Sequence, residues 1–485
     1  MPARMTRRRM LTLAGGTLGL TAAATLLAAC GGSAAVTASS AATGTALASS
    51  ASAPASSASA TTSSRPAASA AASPVAASAA APANQKITLE HLDWWAPSAS
   101  PIYQTYFDGI KADFEAKNPN VTITYVFAAG GTTEVRQKWI VNTAGGTPHD
   151  TSQVSVAFIR DLMNQNLMEP LDAYLAKTSD MALSNFVDSG LTFNTYQGKH
   201  YGIPYDGPTT NTIAYNTDHF TQAGLDPSRD FTWKWTYQEF IDAAKKLTKT
   251  QGSTVTRGGF QPVGYSIANF LPFLYANGGQ FYDSTYTHIA ANDDHGAGAL
   301  QFMVDLSTKY GLVAAAKDAA LENEGYSMVY SGSYTAGTIL QKNPNLHFGY
   351  APIPQGPQGQ KPSSQTWTNQ WSINAASKNL DASWQWLSLV NSEATLEKYF
   401  AGVLKRAAAR KAFYQSQAWM GVLKIYPQLQ GLETIADVSG PYPWVKNAEL
   451  NDKTAPIWKQ LSAGNGEVAA TLTQLQTIGN QVLAT

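Results

Sequence analysis

Residues 31–83 place the tightest limit on what this chain can fold into. Of these 53 positions, 42 are Ala, Ser or Thr, and Arg65 carries the only charge. Val36, Leu47 and Val75 are the only larger aliphatics. Such a stretch cannot bury enough apolar surface to offset chain entropy, so disorder is predicted. Alanine favours helix, but Ser, Thr, Gly and the prolines Pro54, Pro66, Pro74 and Pro82 break up every possible one. A flexible chain of this length spans roughly 40 Å end to end. It reads as a tether, and the fold must be built from what lies beyond it.

What lies before it reads as an address. Residues 1–29 hold four arginines (Arg4, Arg7, Arg8, Arg9) and no acid, and Leu11 to Ala29 is uncharged. A basic start followed by an apolar run is the pattern of an export signal. Thr6-Arg7-Arg8-Arg9-Met10-Leu11 resembles the twin-arginine signal. Leu27-Ala28-Ala29-Cys30 resembles a bacterial lipobox, which implies cleavage before Cys30 and a lipid on its sulfur. An uncleaved membrane anchor is the alternative; Gly15, Gly16, Gly19 and four threonines weaken it. Cys30 is the only cysteine, so no internal disulfide can form. The full chain has 33 basic and 33 acidic residues. Without the four export arginines 29 basic residues face 33 acidic ones, a net charge of −4. That balance excludes a polybasic nucleic-acid binder.

From residue 86 onward about 400 residues read as globular, a size that usually divides in two. Ile87–Leu92 reads as a strand. Ile102, Tyr103, Tyr106, Phe107, Ile110 and Phe114 recur at helical spacing, and Val121, Ile123, Tyr125 and Phe127 alternate as a strand does. Strand, helix, strand in this space is a βαβ unit. A second helix is expected over Glu134–Ala144 and a short strand over Val154–Phe158. Thr236-Tyr-Gln-Glu239 has the spacing of a capping box. Short strands are expected at Ile213–Tyr215, Leu346–Ala351 and Trp371–Ala375, and helices at Ala382–Val390, Glu393–Phe400 and Val468–Val482. The alternation predicts an α/β fold of two lobes, each on a twisted sheet, with ligand between the lobes or at strand carboxyl ends.

The motifs of several chemistries are missing. Seven histidines are scattered, with no H-E-x-x-H and no cysteine pair. Asp293-Asp294-His295 is read as a helix start rather than a metal site. No G-x-S-x-G, P-loop or G-x-G-x-x-G occurs. Tryptophan is informative: all twelve follow residue 84. Trp94, Trp95, Trp367, Trp371 and Trp444 fall in expected loops, where an indole face can stack on a sugar ring. Trp139, Trp384, Trp386, Trp419 and Trp458 lie in helical patterns and read as core.

Several runs together are similar to the extracellular solute-binding proteins, family 1, of ABC importers, which include maltose- and multiple-sugar-binding proteins. They are Phe114-Glu-Ala-Lys-Asn-Pro-Asn-Val121, Gly145-Gly-Thr-Pro-His-Asp150, Tyr201-Gly-Ile-Pro-Tyr-Asp206, Tyr215-Asn216, Phe220-Thr-Gln-Ala-Gly-Leu225, Trp235-Thr-Tyr-Gln-Glu-Phe240, Asn277-Gly-Gly279 and Gly332-Ser-Tyr334. His149 interrupts the family's Pro-Asp, and Tyr334 stands where Trp is common. The resemblance implies a periplasmic-binding-protein-like fold, with lobe 1 over 86–204 plus about 350–392 and lobe 2 over about 205–349 plus 393–485. Crossings are implied near Pro204–Asn211 and Gly349–Pro354. The implied cleft residues are Trp94, Trp95, Asp206, Asn277, Gly278, Tyr334, Trp367, Asn369, Arg406 and Trp444. Trp94 and Tyr334 would act from opposite sides, and Asp206, Asn277 and Asn369 would bond hydroxyls.

The function implied is a non-enzymatic carbohydrate receptor, a monomer without cofactor or metal, handing sugar to a membrane permease. It would sit on the outer face of the cytoplasmic membrane, held by the lipid on Cys30, with residues 30–85 as tether. Two alternatives stay open. One is the same receptor fold for a non-sugar solute, which would show an Arg or Lys cluster in the cleft. The other is a secreted glycoside hydrolase, which needs two carboxyls about 5–10 Å apart; Asp93 and Asp206 are its candidates.

Overall fold

The computed structural model describes residues 85–484 except 192, 229–233, 362, 431–438 and 443–444. The export signal, Cys30, the tether and Trp444 lie outside the described residues.

The first sheet begins with β1 (Ile87–Asp93), followed by α1 (Pro101–Lys117) and β2 (Val121–Phe127). Next come α2 (Thr132–Ala144) and β3 (Thr151–Val154). The strand of the third unit thus ends at Val154, earlier than the predicted Val154–Phe158, and Ile159–Asn164 is already helical. β1 pairs in parallel with both β2 and β3. Strand Gln370–Ile373 then adds antiparallel to β3, and Ile203–Pro204 pairs with it from the other side. Helix α1 lays Tyr106, Phe107, Ile110 and Phe114 on this sheet. These are four of the six residues whose spacing announced the helix.

The second sheet is organised by Thr209–Asn216. It pairs with Met328–Gly332, Phe348–Ala351 and Gln365–Trp367, and the last of these pairs with Gly440–Pro441. All eight residues of Thr209–Asn216 are buried. The helices Tyr237–Leu247, Ile267–Ala276, Asp294–Thr308, Asn447–Ser462 and Val468–Leu483 enclose this lobe's core. The capping box at Thr236 is formed, with Glu239 N donating to the threonine hydroxyl and the Glu239 carboxylate receiving Thr236 N. Asp293 caps its helix by accepting from Gly296 N at 2.8 Å, and among the described residues no group of three or more His, Cys, Asp or Glu could hold a metal.

Two lobe boundaries differ from expectation. The chain does not return to the first sheet at Gly349–Pro354, because Phe348–Ala351 and Gln365–Trp367 both pair with Thr209–Asn216. The return falls at Thr368–Asn369. Nor does everything after 393 join the second lobe. The π-helical segment Leu396–Leu404 packs on α1, with Tyr399 and Phe400 against Tyr106. The reason is an apolar face: Leu396, Tyr399, Phe400 and Leu404 belong to the first core. The helices from Asn447 onward do join the second core.

His149 is buried with neither ring nitrogen partnered among the described residues, its ring edge-on to Trp139 at 4.7 Å. Burial pushes its pKa down to about 3. Between pH 6.5 and about 3 the unfolded chain holds a proton that the folded chain refuses. This residue therefore makes the fold lose stability as pH falls through that window. Urea unfolding should show His149→Phe losing less stability than the parent between pH 7 and pH 4, by on the order of 3 kcal/mol. Equal losses in the two proteins would refute the assignment.

Candidate functional site

The two lobes meet at a junction of crossing segments. The first crossing follows Pro204 and reaches the second sheet at Thr209. Its turn needs Gly207: φ is 103°, and a Cβ there would stand 2.7 Å from Thr209 N. The second crossing is Thr368–Asn369. A third stretch, Arg406–Ala409, runs beside the first, with Ala409 N donating to Tyr205 O at 3.1 Å and Gly207 N to Ala407 O at 3.2 Å.

Asp206 ties these three segments together. Its carboxylate accepts Asn369 N at 2.7 Å and Asn369 Nδ2 at 3.1 Å, and it receives Arg406 Nη2 in an ion pair. Asp206 is fully buried and the Arg406 side chain nearly so. Burying a charge is unfavourable unless it is paired and hydrogen-bonded, and this carboxylate is both.

Above the junction lies a cavity of about 390 Å³. Lobe 1 contributes Trp94, Trp95, Tyr103, Thr132 and Ser155–Ala157; the second sheet contributes Tyr334, Trp367 and Tyr442; Asn369 and Arg406 form part of the floor. Beyond it the lobes touch again. Asn447 Nδ2 donates to Ala157 O at 3.1 Å, and Arg136 of α2 reaches Asp452 at 3.9 Å.

The local chain explains how the aromatic groups are presented. Asp93, at the end of β1, accepts Trp95 N at 2.6 Å, which turns the chain and sets the two tryptophans at the cavity wall. Burial raises the Asp93 pKa, against the lowering effect of its bond to His91. Trp95 stacks on Tyr103 at 5.4 Å and 15°, and the Arg406 guanidinium lies 4.5 Å from its ring centre. At 5% exposure Trp95 is wall, with no free face. Trp94 and Trp367 are only half buried. Trp367 meets Tyr334 and Tyr442 in T-shaped contacts, at 6.3 and 6.2 Å. Tyr334 is 37% exposed and carries Arg406 5.1 Å from its ring centre.

Six of the sequence-derived site residues therefore line one cavity: Trp94, Trp95, Tyr334, Trp367, Asn369 and Arg406. Asp206 lies under the floor rather than in the wall. Asn277 and Gly278 are elsewhere. Asn277 Nδ2 is turned to His295 O at 2.8 Å and to Gln358 at 3.1 Å. Gly278 has φ 82°, and a Cβ would stand 2.8 Å from Gln358 O. This glycine is required by a turn and a close approach, and it borders a separate polar cavity. Trp371 is a core residue, 1% exposed and stacked on His91 at 4.4 Å. Sequence reasoning missed Tyr103, Thr132, Ser155 and Tyr442. Ser155 was accessible to it, because it directly follows β3, at the carboxyl end where α/β sheets bind ligands.

A family profile described as bacterial extracellular solute-binding protein matches residues 97–397. A binding protein of Brucella abortus (strain 2308) is 25% identical over 360 residues, which cover 69% of this chain and 82% of that one. An ABC substrate-binding protein from Listeria monocytogenes, solved in complex with cycloalternan, superposes with a TM-score of 0.71 at 17% identity, covering 82% of this chain and 100% of that one. A maltose/maltodextrin-binding domain from Bdellovibrio bacteriovorus, bound to maltotriose, gives a TM-score of 0.70 at 20% identity over 82% and 100%.

Proposed function

The chain belongs to the bacterial extracellular solute-binding protein family, and from that membership we propose that it is the carbohydrate receptor of an ABC importer, with its sugar bound in the cavity between the lobes. One observation carries the reading. Aromatic side chains from both lobes converge on a single cavity, with half-buried Trp94 on one side and Trp367 with Tyr334 on the other. An indole face matches the C–H face of a pyranose, and Asn369, Thr132 and Ser155 supply the short polar groups that hydroxyls need.

The mechanism follows from position. A ligand favours closure only through contacts it makes better in the closed state. Sugar touching Trp94 and Trp367 at once does this, since the two lie on different lobes. The Asp206 junction is where the crossing segments meet and where a hinge motion would be absorbed. The closed form would then be the one presented to a permease. Two solved relatives hold cycloalternan and maltotriose, which supports a saccharide here. A hydrolase reading finds no carboxyl among the described lining residues: Asp93 and Asp206 are both buried and already bonded, and neither lines the cavity. A cationic cluster for an anionic solute is also missing, since Arg406 is the only charged residue among the described lining residues.

The proposal includes the chain start. Export by the arginine signal, a lipid on Cys30 and the residue 30–85 tether would hold the receptor outside the membrane. Calorimetric titration with a panel of neutral saccharides, followed by scattering with any that bind, tests the reading. Saturable heat and lobe closure are expected, and absence of heat across the panel would sink it.

A further inference from the structure

The charge balance of the cavity goes beyond the bare reading of a carbohydrate site. Arg406 is the only ionised side chain among the described lining residues. Its charge is already spent: Nη2 is ion-paired with Asp206, and the guanidinium lies against Trp95 at 4.5 Å and Tyr334 at 5.1 Å. Asp206 is itself 0% exposed and hidden below the floor, so it meets the ligand only through Arg406 and Asn369, both of which it holds. A second carboxylate, Asp93, is buried directly behind Trp95 and acts on the same surroundings; Tyr106 and Tyr205 each feel Asp93, Asp206 and Arg406 together.

We propose that Asp206 is the specificity-determining residue of this receptor: by neutralising Arg406 from beneath the floor, it makes the cavity select uncharged sugars and reject sugar acids. This rests on the carbohydrate reading of the same cavity. The physical reason is desolvation. A carboxylate leaving water for this site must find an uncompensated cation, and the one guanidinium present is committed to Asp206. A hydroxyl needs no such partner and can be served by Asn369 or by an uncommitted guanidinium N–H. Free of Asp206, the same guanidinium would be a good partner for a carboxylate, since arginine and carboxylate match in geometry.

The test uses matched pairs: glucose with glucuronate, galactose with galacturonate, mannose with mannuronate, and the corresponding disaccharides. Each is titrated by calorimetry into the full chain. The parent should bind the neutral member of every productive pair at least tenfold more tightly than the acid. Asp206→Asn keeps an acceptor for Asn369 N but removes the charge. It should shift the preference toward the acid by at least tenfold, measured at a temperature where circular dichroism shows the variant folded. A parent that binds acid and neutral sugar equally overturns the proposal while leaving the carbohydrate reading intact. So does a folded Asp206→Asn protein with an unchanged preference. If no neutral sugar and no acid binds the parent, the carbohydrate reading fails and this proposal falls with it. The parent's own ratio needs no variant, so a misfolded substitution does not rescue the idea.

Discussion

Arg406→Ala should destabilise the protein by about 3–5 kcal/mol, a large part of the ~5–15 kcal/mol that holds a typical domain folded. The substitution leaves the Asp206 carboxylate at 0% exposure with no cation beside it. The pair itself adds little over an apolar substitute, but its halves are costly alone. Two further contacts go at the same time: the guanidinium lies over Trp95 of one lobe and Tyr334 of the other. A double variant separates charge from packing. Asp206→Asn with Arg406→Met keeps an acceptor for Asn369 N and fills the arginine's space with an apolar stem. Its loss should be smaller than that of Arg406→Ala, roughly 1–2 kcal/mol. Urea unfolding of the three proteins decides. If Arg406→Ala costs under about 1 kcal/mol, the pair is a surface-like ion pair and the junction argument is wrong.

Trp367→Ala should weaken sugar binding by about 10–100-fold, equivalent to about 1.4–2.7 kcal/mol. Trp367 lines the cavity and is only half buried, and its contacts with Tyr334 and Tyr442 are T-shaped rather than stacked. Trp94→Ala should cost a similar factor from the opposite wall. Trp95→Ala is the control that distinguishes platform from wall. Trp95 is covered by Tyr103 and Arg406, so its loss should lower stability, by about 3–5 kcal/mol, with the affinity of the folded protein changing less than for Trp367. Equal affinity losses at Trp95 and Trp367, with stability untouched at both, would contradict that division of roles.

Much of this is legible in the sequence. The alternation of Val121–Phe127 and the helical spacing from Tyr106 to Phe114 reflect one buried face each, and a one-sided element writes its period into the sequence. Of Thr209–Asn216 the sequence pattern signals only Ile213–Tyr215. The strand is buried throughout, so no polar face alternates with an apolar one, and Thr209, Asn211, Thr212 and Asn216 bond inside the fold. Thr212 Oγ1, for example, donates to Ser331 O at 3.3 Å.

The site divides in the same way. Tryptophans in expected loops, after the first strand and after the Pro/Gly cluster, pointed to Trp94 and Trp367, although Trp367 in fact ends the strand Gln365–Trp367. The sequence could not show that Trp95 and Trp371 have their faces consumed, because Tyr103 and His91 do this through tertiary packing. Asp206 and Arg406 are 200 residues apart in sequence, so no spacing signals their pairing. Asn277-Gly278 resembled a ligand contact for a real reason, a tight backbone approach, but the neighbour is the chain's own Gln358.

The central claim is that a sugar bridges Trp94 and Trp367 and draws the lobes together. Small-angle scattering of the full chain, recorded with and without a saccharide that gives saturable heat in calorimetry, tests it most directly. The account predicts a smaller radius of gyration in the bound state, and loss of that compaction in Trp367→Ala at the same sugar concentration. Saturable binding with an unchanged radius, or full compaction in Trp367→Ala at that concentration, would contradict it.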